Sequence, residues 1–223
     1  WSTPAEDCQY VHPFSLPAEY ATLNMAEHWL ATGAAGPFAE FVTPQAAIIA
    51  AGLAPKQLVT PEYAFNVNYG YHFDAGKFAR LLHQHAVARL GVQYVSGNVE
   101  QVESDGEGGI AAIVLTTGDR LTGDLFVDCT GQRALLIGRQ PEAEFVSARH
   151  ILFNDTAIAV QVPYVDAGQP IASVTCATAT NSGWIWDIGL QTRRGVGHVY
   201  SGAHMSEPEA LVGLGESLWA LGK

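Results

Sequence analysis

The chain has 223 residues, 48% of them hydrophobic and 15% charged, which is enough apolar material to bury a core and too much for a disordered chain. A formal charge of −11, with arginines scattered apart from the Arg193-Arg194 pair, leaves no basic stripe for phosphates and argues against nucleic acid or an anionic membrane surface as a partner. The longest apolar run, Ala46 to Ala54, falls far short of the roughly 20 residues of a membrane-spanning helix, and no leader-like segment opens the sequence, so a soluble, cytoplasmic protein is expected.

In chain order, Ser15-Leu16-Pro17 followed by Tyr20, Leu23, Ala26 and Leu30, closing at Gly33, predicts a capped amphipathic helix with proline in its first turn. Residues 34–62, broken by Pro37, Pro44, Pro55 and Pro61, read as irregular, with a short helix over Gln45 to Ala51. Asp74 then caps a clearer helix whose stripe is Phe78, Leu81, Leu82, His85, Ala86 and Leu90, ending at Gly91. After it come a strand at VQYV, a hairpin from NVEQVES through DGEGG to IAAIVLTT, a Gly118-Asp119 turn, and DLFVDCTG. Leu125-Phe126-Val127 is the kind of continuous apolar run that sits inside a parallel sheet, and it stops abruptly at Thr130-Gly131. Turns at such carboxyl ends are where α/β sheets bind ligands.

Beyond Pro141 four short strands are predicted, AIAVQV, IASVTCAT, GWIWDIGL and VGHVYS, which suit an antiparallel sheet able to cover a site with one face. Ser206 to Glu209 is a capping-box pattern, and it opens a helix with Leu211, Leu214, Leu218 and Trp219 on one side. The fold class expected is mixed α/β. The chain starts without methionine and stops just after that last stripe, so it is expected to be part of something longer.

Several constellations can be weighed on chemistry. Cys8, Cys129 and Cys176 are odd in number, far apart and without a CxxC, which argues against a disulfide framework or thiolate zinc site and predicts small buried hydrophobes. His83 and His85, two apart on a helix, diverge by about 200°, so with His72 they make a poor metal site and none is expected. No GxSxG elbow supports a Ser-His-Asp triad. Three signals remain: YVHPF at 10–14, the Thr130-Gly131 turn, and the octet GWIWDIGL. A glycine after a buried strand lets the backbone approach a flat ligand or a pyrophosphate. Asp128, a charge in that strand, needs a partner or a strand-end position. On a strand, Trp184, Trp186 and Ile188 share one face while Ile185 and Asp187 share the other. The octet alone leaves two readings open, a sheet core filled with indoles or the wall of a site.

Taken together, the runs YHFDAGKFARLL, LGVQYV, DLFVDCTGQRALLI, FNDTAIAVQVPY and GWIWDIGL…GVGHVYS, in that order, resemble the flavin-dependent tryptophan halogenases over nearly the whole chain from YVHPF onward. That family carries a GWxWxIP signature at the octet and a DLFxDCxG strand before it. Gly189 stands where the signature has proline, from which a looser strand end is expected. The resemblance implies part of an FAD-binding domain of the aromatic-hydroxylase, glutathione-reductase type. Residues 1–62 would then be a helical and irregular substrate-pocket segment, 63–140 part of the FAD domain, and 141–223 a sheet and helix covering the flavin and substrate site.

The resemblance also implies a chemistry. FADH2 from a separate flavin reductase reacts with O2 to a hydroperoxide, halide is converted there to hypohalous acid, and tryptophan or another electron-rich arene is halogenated, as in antibiotic biosynthesis. It implies that His12 and Phe14 sandwich an indole, and that Val99, Thr130 and Gly131 lie where backbone approaches FAD. Trp184 and Trp186 would stand between flavin and substrate. The family's essential lysine and GxGxxG loop would lie upstream of Trp1 and its catalytic glutamate downstream of Lys223, so no catalytic residue is expected within these 223, and the fragment alone should not turn over. A homodimer is allowed. Two alternatives stay open: a related FAD monooxygenase that hydroxylates or epoxidises, and a non-catalytic ligand-binding relative.

Overall fold

The structure is a computed structural model that describes residues 10–17, 19–139, 143–166 and 168–221. It is a mixed α/β chain with two antiparallel sheets, divided into two compact units: Trp1–Asp74 with Asn154–Lys223, and Ala75–Phe153.

In the first unit, three short helices precede a sheet. Helix α1 spans Met25–Ala31, α2 Phe38–Val42 and α3 Gln45–Ala50. The first helix is shorter than the sequence pattern suggests. Glu19 adopts φ 55°, a left-handed conformation that closes a turn over 19–22, and Asn24 provides the cap, its side chain accepting from the Ala26 amide at 3.2 Å. Pro37 and Pro44 each stand at the residue before a helix, which explains why a proline-broken stretch still contains α2 as well as the expected α3.

All four predicted strands of the C-terminal half form: β4 Thr156–Pro163, β5 Thr175–Thr180, β6 Gly183–Gly189 and β7 Arg193–Tyr200, in the antiparallel order β4-β7-β6-β5. Helix α5, Glu207–Leu221, follows with the glutamate half of its capping box made, the Ser206 amide and hydroxyl both donating to Glu209 Oε2 at 2.8 and 2.6 Å. Those two bonds hold the Glu209 carboxyl below its usual range. The residues of α5 that pack are Ala210, Leu214 and Leu218, spaced four apart; Leu211 and Trp219, expected on the same side, are exposed. Leu214 meets Ile185 and Val196 on one face of the sheet, with Ile158, Val160 and Val162 around them. Each such apolar side chain contributes roughly 1.5–3 kcal/mol when fully buried. His198 is buried in the same layer. Its Nδ1 donates to the Ala210 carbonyl at 3.1 Å, so Nε2 accepts from the Thr180 hydroxyl, also at 3.1 Å, and β7 is tied to α5 and β5 together.

The second unit holds α4, Ala75–Leu90, and a three-stranded sheet of β1 Val99–Ser104, β2 Ile110–Leu115 and β3 Arg120–Leu121 in the order β1-β2-β3. The β1-β2 turn is made by Asp105, whose Oδ1 accepts from the Glu107 and Gly109 amides at 2.8 Å each. The expected strand VQYV and the parallel-sheet run expected in DLFVDCTG are not strands: residues 91–98 and 124–130 carry no ladder, and Leu125 and Val127 are exposed. The stripe on α4 is likewise largely uncovered, with Phe78, Leu81, Leu82 and Leu90 exposed. A continuous apolar strand needs a ladder on each side and a layer on each face, and the described residues of this unit supply neither. Cys129, on this unpaired segment, and Cys176, on the edge strand β5, are exposed rather than buried; Cys8 lies outside the described residues.

Candidate functional site

Trp184 and Trp186 do share a face of β6, with ring centroids 6.0 Å apart and planes tilted at 56°. It is the face away from the core. Ile185, between them, is 3% exposed and belongs to the cluster under α5, whereas Trp184 is 39% exposed. The indoles are therefore not the filling of the buried cluster formed by Ile185, Val196 and Leu214.

The register explains why two indoles fit there. Across the sheet, Trp186 lies in the row Ala177, Trp186, Gly197, Ala159, and Trp184 in the row Ala179, Trp184, Val199, Ala157. Small residues on the neighbouring strands leave a flat apolar floor. Gly197 goes further: a Cβ there would clash with the benzo edge of Trp186 and lie 2.6 Å from the Ile158 carbonyl oxygen, so the indole lies directly across glycine backbone. The sequence contains this signal, a glycine inside a strand opposite a large aromatic, but the pairing register that connects them is visible only in the fold.

At the far end of β6, Gly189 is not a loose end. An added Cβ would be 2.7 Å from Ile171 Cγ2 and 3.2 Å from the Tyr164 hydroxyl, because those side chains have closed over the glycine. His72, weighed above as a metal ligand, instead pins this corner, its Nδ1 donating to the Gly189 carbonyl at 3.2 Å and its Nε2 accepting from the Thr175 hydroxyl at 3.0 Å. Beside it, Arg194 grips both carboxylate oxygens of Asp187. Although Cys176 is exposed at the strand edge, partial desolvation by its surroundings and the Asp187 carboxylate push its thiol up, which disfavours a nucleophilic thiolate. Among the described residues no group of three or more His, Cys, Asp or Glu could hold a metal, and no helix is long and apolar enough to cross a membrane.

The HPF segment lies in the same unit as the tryptophans. His12 and the Phe14 ring are exposed, and the ring stands 3.6–3.7 Å from where a Cβ on Gly70 would be. Sequence reasoning did not single out the residues that fix this segment, Gln45 and Asn68, since neither sits in a recognisable motif. On either side of Gly70 runs an aromatic ladder, Tyr69 edge-on to Tyr71 at 5.3 Å and Tyr71 stacked on Phe73 at 5.6 Å, with the Lys56 ammonium 5.9 Å from the Tyr69 ring.

Val99, Thr130 and Gly131 belong to the other unit. Val99 opens β1, half-buried and paired with Leu115. Thr130 and Gly131 form a turn organised by Asp128, the charge whose partners were in question. Its Oδ1 accepts from the Thr130 hydroxyl and amide at 2.6 and 3.0 Å, and its Oδ2 from the Leu136 and Ile137 amides at 2.8 and 3.2 Å. Thr130 Oγ1 in turn accepts from the Leu135 amide at 2.9 Å. Gly131 has φ 65°, with open space where a Cβ would stand.

These donors, the Thr130 hydroxyl foremost, hold the Asp128 carboxyl down at about 2. A depressed carboxylate stabilises the turn above its ordinary value near 3.8 and ceases to do so as pH falls through about 2. At about pH 3, then, the Asp128 carboxyl-carbon NMR signal should still be that of the ionised group, when an ordinary aspartate is mostly protonated. A midpoint near 3.8 would mean that the four donors do not act on it.

A family model described as "Tryptophan halogenase" matches residues 1–220. The chain is similar to "Tryptophan 7-halogenase RebH" of Lentzea aerocolonigenes, 34% identical over 206 residues, covering 91% of this chain and 38% of that protein. It is 43% identical over 142 residues to "7-chloro-L-tryptophan 6-halogenase KtzR" of Kutzneria sp. (strain 744), covering 64% of this chain and 27% of that one. Among solved structures, the tryptophan halogenase from Shewanella frigidimarina NCIMB 400 superposes with a TM-score of 0.89 at 43% identity, over 97% of this chain and 41% of the other. The chain thus spans about two fifths of the length of relatives such as the first and third. A match over 220 of 223 residues, with one relative's fold reproduced at a TM-score of 0.89, means that this chain belongs to the tryptophan halogenase family.

Proposed function

We propose that these residues form the central part of a flavin-dependent halogenase acting on tryptophan or another indole. The observation that carries this reading is the tryptophan pair on the open face of the sheet, laid over Gly197 and separate from the core cluster under α5. Two indoles held on a floor of alanine, glycine and Val199 form a rigid apolar wall, a form suited to keeping two reactants apart.

The Thr130-Gly131 turn fits a flat flavin or its phosphates, because Asp128 immobilises the backbone while Gly131 offers room where a side chain would otherwise stand. Val99 is the second backbone position in this assignment. When bound, the reduced flavin supplies the activation of O2 that turns halide into an electrophilic halogen. The chain's own residues have the remaining tasks: His12 and Phe14 flank the indole, and Trp184 and Trp186 exclude it from the flavin. Segments 1–62, 63–140 and 141–223 then serve the substrate pocket, the FAD domain and its cover. The lysine and glutamate of the chemistry lie outside the 223 residues, a separate reductase delivers FADH2, and the enzyme works in the cytoplasm, with a homodimer compatible with this arrangement.

The test uses the protein translated from the complete open reading frame, given L-tryptophan, FADH2, O2 and chloride or bromide. A halide-dependent mass increase in the product is expected, and Phe14→Ala should weaken L-tryptophan binding by roughly 1–3 kcal/mol, the scale of a lost stacking partner. Hydroxylated product independent of halide would overturn the reading, as would unchanged affinity in Phe14→Ala.

A further inference from the structure

We infer that Gln45 is a positioning residue for substrate: with Asn68 it fixes the Phe14–Ser15 peptide and so presents the Phe14 ring in one orientation, an inference that rests on the assignment of Phe14 to the indole.

Gln45 is 6% exposed at the start of α3. A buried carboxamide has to satisfy both ends, and here both lead to the same place. Its Oε1 accepts from the Ser15 amide at 3.1 Å, and its Nε2 donates to the Asn68 carbonyl at 2.5 Å. Asn68 completes the clasp, donating from its amide to Ser15 Oγ and from Nδ2 to the Phe14 carbonyl, both at 3.3 Å. The peptide joining Phe14 to Ser15 therefore has its C=O held by Asn68 and its N–H held by Gln45. That fixes the plane of the peptide that leaves the Phe14 Cα, and with it the point from which the ring is carried. The bonds span 30 residues from Ser15 to Gln45 and 54 from Phe14 to Asn68, so they are tertiary links and no property of the loop itself.

The ring needs such help. Phe14 is largely exposed, and its ring approaches Gly70 so that a Cβ there would stand in contact with it, at 3.6–3.7 Å. A ring 68% exposed is held only weakly by its own packing, and an unfixed ring would lose conformational freedom whenever a ligand stacked on it. Fixing the backbone beforehand removes that loss at binding. Gln45 also has an anchor of its own, its amide donating to Thr43 Oγ1 at 3.2 Å, which makes the start of α3 a stationary support.

Three variants of the full-length protein test this, read by equilibrium dialysis of L-tryptophan, FAD retention and a thermal melt. Gln45→Leu should raise the Kd for L-tryptophan about threefold or more, up to but not beyond the loss seen in Phe14→Ala, with FAD retention unchanged, since it can at most forfeit the contribution of the ring it orients. In a Phe14→Ala background the same change should add less than about twofold, because no ring remains to be oriented. Gln45→Glu keeps the acceptor for Ser15 but sets a carboxylate against the Asn68 carbonyl oxygen. Its affinity should therefore improve, relative to the parent, as pH falls and the carboxyl regains a proton to donate. Parent-like binding by Gln45→Leu, or a loss that adds in full to that of Phe14→Ala, overturns the inference. Should Gln45→Leu not fold, a flat pH response of Gln45→Glu overturns it instead. Parent-like binding by Phe14→Ala removes the substrate assignment and this inference with it, whereas weakened Phe14→Ala beside unaffected Gln45→Leu removes only the role of Gln45.

Discussion

Gly197→Ala should destabilise the first unit by roughly 2–4 kcal/mol, while Gly195→Ala, two residues away on the same strand, should be close to neutral. Neither glycine has a positive φ, so backbone strain is the same small matter for both. Space is what separates them. A Cβ at 195 meets nothing within 4 Å, whereas at 197 it meets the Trp186 ring and lies 2.6 Å from the Ile158 carbonyl oxygen. The indole is itself confined between Ala177 on one side and Gly197 on the other, and the carbonyl belongs to β4, hydrogen-bonded in the ladder with β7. Neither neighbour yields without moving a strand. Thermal melts should show a drop on the order of 5–15 °C for the first variant and little for the second. Trp186→Phe should recover part of the loss in Gly197→Ala, since it withdraws the benzo atoms that the new methyl would meet. Equal melts for the two alanine variants would show that the indole does not rest on Gly197.

How much of this was legible in the sequence follows from what each element needs to form. The four C-terminal strands and the capping box at Ser206 and Glu209 were readable because their signals are local: alternation, turn residues, a hydroxyl three positions before a carboxylate. The N-terminal helix was overestimated because its stripe continues backward past Asn24, and periodicity does not report a turn closed by Glu19 in the left-handed region. The apolar runs at 92–95 and 125–127 have the composition of inner strands, yet a strand exists only with a partner, and partnership is not a property of the run. The alternation in GWIWDIGL was enough to place both indoles on one face. Which face met the core was not legible, because it depends on where α5 packs. The need of Asp128 for partners was visible, but two of its four donors, the amides of Leu136 and Ile137, come from a turn eight and nine residues on. Gln45 and Asn68 left no trace at all: a glutamine after a proline and an asparagine in a loop acquire meaning only when folding brings them to Phe14.

Trp186→Phe in the full-length protein should lower the halogenated product formed per FADH2 consumed while leaving flavin retention and the fold intact. The substitution keeps an aromatic ring on the same face of β6 and removes the part of the indole that reaches across Gly197. Because Trp186 lies outside the buried cluster of Ile185, Val196 and Leu214, the lost burial should cost only about 1–2 kcal/mol, well below the 3–5 kcal/mol of a core aromatic cut to alanine. A gap at Gly197 has a different consequence for a wall. If the pair separates flavin from indole, the opening gives oxidising equivalents and substrate a direct path, so uncoupled oxidation should rise and traces of hydroxylated indole should accompany the halogenated product. Trp184→Phe should act in the same direction but more weakly, since its neighbours in the row are Ala179 and Val199, and Val199 still fills the floor beside it. The measurement is product partition by mass spectrometry against FADH2 consumed, with a melt on each variant. Variants that melt several degrees lower yet partition products as the parent does would make the indoles packing alone and remove the partition from the proposed mechanism. An intact melt with a shifted product ratio would separate the two roles, because the loss would then follow the hole in the wall and not the stability of the sheet that carries it.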